Sequence, residues 1–247
     1  MTAPVSPEDI SVVLTSTIDP KGVAFMQRSD PDVRLADYKA ALRRWVADPW
    51  ARNIIVVENS GYSLDALKRI VDEGSFGRNI EFLSFDGQDF PRHLGKGYGE
   101  TLALTHVMEH SRQLRETTRF LKINGRYYVP RLGRILSDMT TETQIFCNLN
   151  KKMTFSDSRF FGGDLAFLRR VCTEGLQVND QEGVWFEHVL ARSVLRGVAD
   201  GLTWRFISTL PNIQGSSATT DRAYVESAPK RWFKGRINAA KQRLLEW

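Results

Sequence analysis

The sequence is poor in cysteine and lacks any long apolar run. Its two cysteines, Cys147 and Cys172, are far apart among 247 residues and form neither a disulfide framework nor a metal-ligand pattern. We therefore expect reduced, cytoplasmic thiols. The longest apolar runs, such as residues 54–57, have the length of a strand and cannot span a bilayer. The first residues also lack the basic start and apolar stretch of a secretory signal.

Net positive charge is missing from residues 1–229 and is concentrated in residues 230–247. Residues 230–247 contain six lysines and arginines against one acidic residue, Glu246, and account for the whole net charge of +5. The neutral remainder argues against a nucleic-acid-binding face on the domain. The basic end indicates an anionic partner surface that residues 230–247 alone would contact.

The first half of the chain alternates strand-like and helix-like segments. Strand-like residues 10–15, 53–58, 80–85 and 120–123 are short, rich in β-branched or aromatic residues, and bounded by turn formers. Between them, apolar residues recur at helical spacing, and one helix is expected from the glycine-rich residues 95–100 to about Leu114. This alternation predicts an α/β fold, in which helices cover both faces of a Rossmann-like, mostly parallel sheet. We expect one such domain over residues 1–229, followed by a basic amphipathic helix over residues 230–247.

The second half is less regular. Its apolar spacing predicts helices over residues 164–171 and 184–198 and a strand over residues 203–207. Residues 215–221 are polar and small, which predicts a loop. Ligands of mostly parallel sheets bind at the carboxyl ends of the strands. The residues that directly follow the early strands are therefore the first candidates for a binding site.

The order of motifs resembles that of the inverting GT-A glycosyltransferases of bacterial polysaccharide synthesis. A first strand ending in a small polar turn (residues 11–15) and a second ending in Glu-Asn-Ser-Gly (residues 58–61) are similar to the nucleoside-binding strands of that family. A glycine-containing helix start (residues 95–100), a fourth strand (residues 120–126) and a late carboxylate, Glu187, follow at fitting distances. The resemblance covers residues 10–200 as a pattern of motifs.

The resemblance implies a GT-A-like glycosyltransferase. Its donor would be a nucleotide-sugar, with a UDP-sugar expected, and its acceptor a glycan or lipid-linked glycan of the cell surface, such as capsule or lipopolysaccharide O-antigen. Two other functions stay open: a nucleotidyltransferase on a similar sheet, and a non-catalytic, membrane-recruited protein that binds nucleotide-sugars. The residues that the resemblance places on the donor are Thr15, Glu58, Asn59, Lys96, Glu100, Lys122, Asn124 and Arg126.

The fourth strand departs from the family pattern in one respect. The family's strand ends in an Asp-x-Asp motif that binds a divalent cation, whereas this chain has Lys122-Ile-Asn-Gly-Arg126-Tyr. A similar ending occurs in a subset of capsule and lipopolysaccharide glycosyltransferases. Lysine and arginine can offset diphosphate charge directly, so we expect no cofactor and no required metal. It stays possible that Asp157 and Asp86 hold a cation. The alternative for Lys122 and Arg126 is that they are the solvated ends of an ordinary strand.

Inverting transfer needs a base for the acceptor hydroxyl. Glu187, near the start of a predicted helix, is the first candidate because it matches the family's carboxylate, and Asp157 is the second. Either acid could instead only complement a helix dipole. The glycine-rich residues 95–100 match neither the P-loop nor the dinucleotide fingerprint. They can present backbone N–H groups to an anion or form a plain turn, and Asn59 can equally be a turn cap.

The basic end of the chain mixes cations with aromatic side chains. On a helix, Phe233, Ile237, Leu244 and Trp247 lie near one face, a pattern typical of helices at anionic membrane surfaces. We expect a peripheral association with the inner face of the plasma membrane. The alternative is a terminal helix packed on its own domain or on a partner subunit. The predicted membrane-surface residues are Lys230, Arg231, Trp232, Phe233, Lys234 and Arg236.

Overall fold

Short apolar segments form the strands of a central sheet. The structure, a computed structural model, describes residues 3–22, 27–74, 77–216 and 227–245. Within these residues, seven strands pair in the order β3-β2-β1-β4-β6-β5-β7. The strands are β1 (Ile10–Ser16), β2 (Asn53–Glu58), β3 (Asn79–Ser84), β4 (Arg119–Asn124), β5 (Ile145–Phe146), β6 (Phe160–Asp164) and β7 (Trp204–Arg205).

The sheet is mostly parallel. β1 pairs in parallel with β2 and β4, β2 with β3, and β5 with β7, whereas β6 runs antiparallel to β4 and β5. Parallel neighbours need crossover connections, and helices supply them here. The predicted α/β fold with a mostly parallel sheet is confirmed, and the four early strands lie within one residue of their predicted bounds.

Helices cover both faces of the sheet. One apolar layer forms around Leu42 and Trp45 of the first helix, and the other around Leu104, Val107 and Phe167. The helices are α1 (Pro31–Ala47), α2 (Asp65–Asp72), α3 (Gly95–His110), α4 (Arg112–Thr117), α5 (Leu132–Leu136), α6 (Leu165–Gly175), α7 (Phe186–Ala199) and α8 (Ala228–Leu245). None of those in the described part of the chain is long and apolar enough to cross a bilayer.

Two of the differences from the sequence prediction have a clear physical cause. The helix predicted to continue to Leu114 breaks at Ser111, whose hydroxyl instead accepts from the Leu114 amide (2.9 Å) and starts α4. The strand β6 was not predicted either, because Gly162 and Gly163 lower its strand propensity. Both glycines are required there, since an added Cβ would lie 2.5 Å from the Phe120 carbonyl and 2.3 Å from the Gln144 carbonyl.

The helix α8 contacts the segment that follows β7. Gln242 accepts from the Phe206 amide (2.8 Å), and Asn238 donates to the Ile207 carbonyl (3.0 Å). At Gly235, an added Cβ would lie 2.3 Å from the carbonyl oxygen of Ser208. These three positions lie on one side of the helix, so α8 packs on the domain through a small and polar face. Residues 217–221 of the predicted loop, and Trp247, lie outside the described residues.

Candidate active site

A cavity of about 840 Å³ opens at the carboxyl ends of β1, β2 and β4. The strand order reverses between β1 and β4, and such reversal points are where ligands of open α/β sheets bind. The starts of α3 and α7 close its other side. Every predicted donor-binding or catalytic residue except Glu58 lines it, namely Thr15, Asn59, Lys96, Glu100, Lys122, Asn124, Arg126, Asp157 and Glu187.

Glu58 lies beneath the cavity. It is fully buried, and its carboxylate accepts from the amides of Ile18 (2.9 Å), Ser60 (3.0 Å) and Tyr62 (3.0 Å). A buried carboxylate needs such donors because desolvation of an unpaired charge is costly. The last residue of β2 therefore holds the following turn in place, and the predicted contact between Glu58 and a nucleoside has no support in this arrangement.

Asn59 joins three elements at the edge of the cavity. Its side chain donates to the Gly99 carbonyl of α3 (2.8 Å) and accepts from the Thr17 hydroxyl after β1 (2.6 Å). Its carbonyl accepts from the side-chain amide of Gln88 (3.0 Å). Asn59 thus fixes the turn, as expected of a turn cap. One edge of the residue still faces the cavity.

A buried ion pair forms part of the cavity floor. Lys122 of β4 is 1% exposed, and its ammonium donates to the Ser158 carbonyl (2.6 Å) and pairs with Glu100 of α3. The Thr15 hydroxyl donates to the same Glu100 carboxylate (3.2 Å). A lysine buried this deeply requires a counter-charge. Because Glu100 supplies it, the pair adds no net charge to the cavity, and Lys122 is not a solvated strand end.

Arg126 is the buried cation of the turn after β4. It is 4% exposed, and its backbone amide donates to the Asn124 side chain (3.2 Å). One terminal nitrogen donates to the Ser216 carbonyl (3.0 Å), but Nε has no hydrogen-bond partner among the described residues. A buried donor without a partner is costly. The guanidinium therefore retains donor capacity on the cavity wall, where an anionic ligand could use it.

The two carboxylates considered for a metal are both paired with cations. Asp157, at the cavity wall, accepts from Arg159 Nε (2.8 Å), and Asp86 accepts from Lys21 Nζ (3.0 Å). The hydrogen bond from Lys21 is the main reason that the pKa of Asp86 is lowered. Asp86 does not line the cavity. Across the described ranges, no three histidine, cysteine, aspartate or glutamate side chains gather as metal ligands.

Glu187 lies in the first turn of α7 and is close enough to Asp180 for the two carboxylates to interact. Its carboxylate accepts from the Ser158 hydroxyl (2.7 Å). The backbone carbonyl of Ser158 also accepts from Lys122. Asp180 accepts from the Lys96 backbone at the start of α3. Burial raises the pKa of Asp180, nearby Glu187 raises it further, and Lys96 opposes both. This side of the cavity therefore holds two neighbouring carboxylates with different hydrogen-bond partners.

The glycine-rich start of α3 is packed closely against this second carboxylate. Gly95 has φ +78°, and an added Cβ would lie 1.9 Å from an Asp180 oxygen. At Gly97, an added Cβ would lie 2.9 Å from Phe186. Residues 95–100 therefore allow α3 to approach α7 and the turn before it. The backbone amide of Lys96, one of those that could have faced a ligand anion, is bonded to Asp180.

No protein-family profile and no curated protein match this sequence. The structure is similar to solved glycosyltransferases. Core-mannan synthase A from Aspergillus fumigatus, in a Mn/GDP form, is 10% identical with a TM-score of 0.49, over 95% of this chain and 85% of that one. The bifunctional glycosyltransferase WbbM is 12% identical with a TM-score of 0.49, over 96% of this chain and 45% of that one.

The structure is also similar to a nucleotidyltransferase. A cytidylyltransferase from Leptospira borgpetersenii is 8% identical with a TM-score of 0.39, over 67% of this chain and 64% of that one. This chain thus spans less than two thirds of the length of both WbbM and the cytidylyltransferase. A likeness at this level assigns no activity to this chain.

Several cavity residues escaped the sequence analysis. Arg34 and Tyr38 of α1 hold the turn after β1, since Arg34 Nε donates to the Thr17 carbonyl (2.7 Å) and Tyr38 accepts from the Thr17 amide (2.9 Å). Nothing in their helical spacing distinguishes them from ordinary packing residues. Asp180 likewise carries no local signal. Gln88 does carry a local signal, because it lies in the turn that follows the strand β3.

Proposed function

We propose that this chain is a glycosyltransferase that moves a sugar from a UDP-sugar to a glycan or lipid-linked glycan acceptor of the cell surface. The observation that carries the proposal is Arg126, a guanidinium 4% exposed that lines the cavity with Nε unpartnered among the described residues. A planar guanidinium fits phosphate oxygens well. Arg126 would hold the diphosphate and stabilise the charge that develops on it as the sugar–phosphate bond breaks.

Glu187 would act as the base. Its carboxylate lies on the cavity wall in the first turn of α7, and among the described residues Ser158 is the donor that it has. A carboxylate with free acceptor capacity can take the proton of an acceptor hydroxyl as that oxygen attacks the sugar. Attack from the side opposite the leaving diphosphate inverts the anomeric centre. Asp157 is the weaker candidate because Arg159 already occupies both of its oxygens.

Product analysis separates this function from the competing ones. The protein would be incubated with a panel of UDP-, GDP- and CMP-sugars and a mixture of glycan acceptors, and separately with nucleoside triphosphates and sugar phosphates. The proposal expects release of a nucleoside diphosphate from one sugar donor. Release of pyrophosphate from a triphosphate would instead identify a nucleotidyltransferase. Saturable donor binding without any product would identify a binding protein.

We also propose that α8 binds an anionic membrane surface. Its polar face, at Gly235, Asn238 and Gln242, packs on the domain, whereas Trp232 (67%), Phe233 (62%) and Ile237 (42%) are exposed. Lysines and arginines surround these apolar side chains, a combination that suits lipid headgroups and acyl chains together. Packing on the domain and membrane contact therefore involve different faces of the same helix. Such attachment would bring the cavity to lipid-linked acceptors.

A further inference from the structure

Gln88 lines the cavity with one hydrogen-bonding atom unused. The side chain is 4% exposed, and its Nε2 donates to the Asn59 carbonyl (3.0 Å). That bond fixes which end of the amide is the nitrogen, because a flipped amide would set two oxygens against each other. Oε1 is then buried without a partner among the described residues. A buried acceptor of this kind costs stability unless a ligand completes it.

If Arg126 held the diphosphate of a nucleotide, Gln88 would lie near its base. Gln88 contacts Asn59, which follows β2, whereas Arg126 follows β4, and β1 lies between those strands. Two strand spacings separate the two ends by about 10 Å, a length that a ribose can bridge between a base and a diphosphate. Phe90 adds an aromatic wall beside Asn59, since an added Cβ at Gly99 would lie 3.3 Å from the Phe90 ring and 3.5 Å from the Asn59 amide nitrogen.

The turn after β3 holds the acceptor in place before any ligand arrives. The Gly87 amide donates to the Asn59 carbonyl (3.0 Å), the same atom that receives the Gln88 side chain. The Gln88 amide faces an Asp86 carboxylate oxygen (3.5 Å). A side chain fixed at both its backbone and its nitrogen loses little conformational freedom when Oε1 is engaged.

We propose that Gln88 reads the nucleobase of the donor by accepting the N3–H of uracil, which makes it a specificity-determining residue. The inference rests on the proposed function, because it assumes that a nucleoside diphosphate occupies the cavity. Uracil presents an N–H at ring position 3, whereas cytosine presents a lone pair there. An acceptor that cannot flip without breaking its bond to Asn59 therefore favours uracil over cytosine and rejects N3-methyluracil.

The test compares UDP, CDP and N3-methyl-UDP by calorimetric titration of the full chain. A site built to bond an N–H rejects a ligand that lacks it, because the buried acceptor is left unpaired. Wild type should bind UDP about tenfold or more tightly than either analogue. Gln88→Leu should weaken UDP binding and reduce the three affinities to within about twofold of one another. Gln88→Met, of similar length, serves as the second variant.

Gln113 provides a matched control. It is 3% exposed, its Nε2 donates to the Asn79 carbonyl (3.1 Å), and its Oε1 is likewise without a partner among the described residues, but it lies in α4 and does not line the cavity. Gln113→Leu should therefore keep the wild-type preference for UDP.

Three results would overturn the inference. Equal affinity of wild type for UDP and N3-methyl-UDP would do so without any variant, even if both Gln88 variants failed to fold. Undiminished preference for UDP in a folded Gln88 variant would do so as well, while leaving the proposed function intact. If wild type bound none of the three nucleotides UDP, CDP and N3-methyl-UDP, the proposed function would be overturned and this inference with it.

Discussion

Under the proposed function, donor binding depends most on Arg126. It is buried at the end of β4 with an unpartnered Nε among the described residues, and the neighbouring cation, Lys122, is already neutralised by Glu100. Arg126→Lys keeps the charge but loses the planar fork, so we expect nucleotide affinity to fall about tenfold. Calorimetric titration with UDP measures this effect.

The control for this substitution is another arginine. Arg44 stacks on the Tyr128 ring (4.0 Å) and does not line the cavity. Arg44→Lys should leave UDP affinity unchanged, because it alters no cavity atom. Equal UDP affinity in wild type and Arg126→Lys would show that the guanidinium does not hold the diphosphate.

Glu187 is the second residue with a proposed role, that of the base for the acceptor hydroxyl. Glu187→Gln retains the size of the side chain and its bond to Ser158, but an amide cannot take a proton. We expect turnover to fall on the order of a hundredfold or more, with UDP affinity unchanged, because the base contacts the acceptor. Steady-state rates and titrations on one preparation separate the two effects. Near-normal turnover would move the role to Asp157, whose Asp157→Asn variant is made in parallel.

At the scale of elements, the start of α3 depends on Asp180. The pKa of this carboxyl is raised above its ordinary value of 3.8, chiefly by burial. The folded protein therefore binds its proton more tightly than the unfolded chain, so ionisation of Asp180 lowers stability as pH rises above 3.8 through the folded-state pKa. Asp180→Asn lacks this titration. We expect the free energy of unfolding of the variant, relative to wild type, to increase with pH across that window and to level off above it.

Urea unfolding at a series of pH values checks this prediction. Asp157→Asn is the matched control, because Asp157 also lies on the cavity wall but pairs with Arg159 on the surface. A constant or decreasing difference between Asp180→Asn and wild type would show that Asp180 is not held in an environment that disfavours its charge.

We expect one face of α8 to pack on the domain and another face to contact the membrane. Trp232→Ser combined with Phe233→Ser removes two exposed aromatic side chains and leaves the contacts of Asn238 and Gln242 to the domain intact. Binding to vesicles that contain anionic lipid should then fall about tenfold or more, because the buried apolar area is lost. Co-sedimentation at low and high salt also measures the electrostatic part, which salt should weaken.

A paired control tests whether any exposed apolar residue would have the same effect. Leu176 and Val198 are exposed to 55% and 42% and lie in other parts of the domain. Leu176→Ser combined with Val198→Ser should leave vesicle binding unchanged. If both double variants bind vesicles as wild type does, α8 is only a packed terminal helix.

Across the whole molecule, the sequence predicted those strands, helices and site residues that local residue patterns determine. Alternation of β-branched runs with helical spacing was enough for β1 to β4 and for α1 to α3, and strand ends pointed to Asn59, Lys122 and Arg126. The antiparallel β6 could not be predicted, because its glycines are needed only where a neighbouring backbone approaches. Asp180 gains its role from tertiary contacts that no spacing in the sequence records. Glu58 was predicted to contact the donor, and its burial beneath the turn is a feature that one sequence does not reveal.

The central claim is that the cavity binds a nucleoside diphosphate through Arg126 without requiring a metal. The most direct measurement is a calorimetric titration of UDP into the full chain in excess chelator, repeated with magnesium and with manganese. We expect saturable binding of one UDP per chain in chelator, with little change when either metal is added. Binding that occurs only with a metal would contradict the claim that Arg126 replaces the cation, and no binding under any of the three conditions would contradict the proposed function itself.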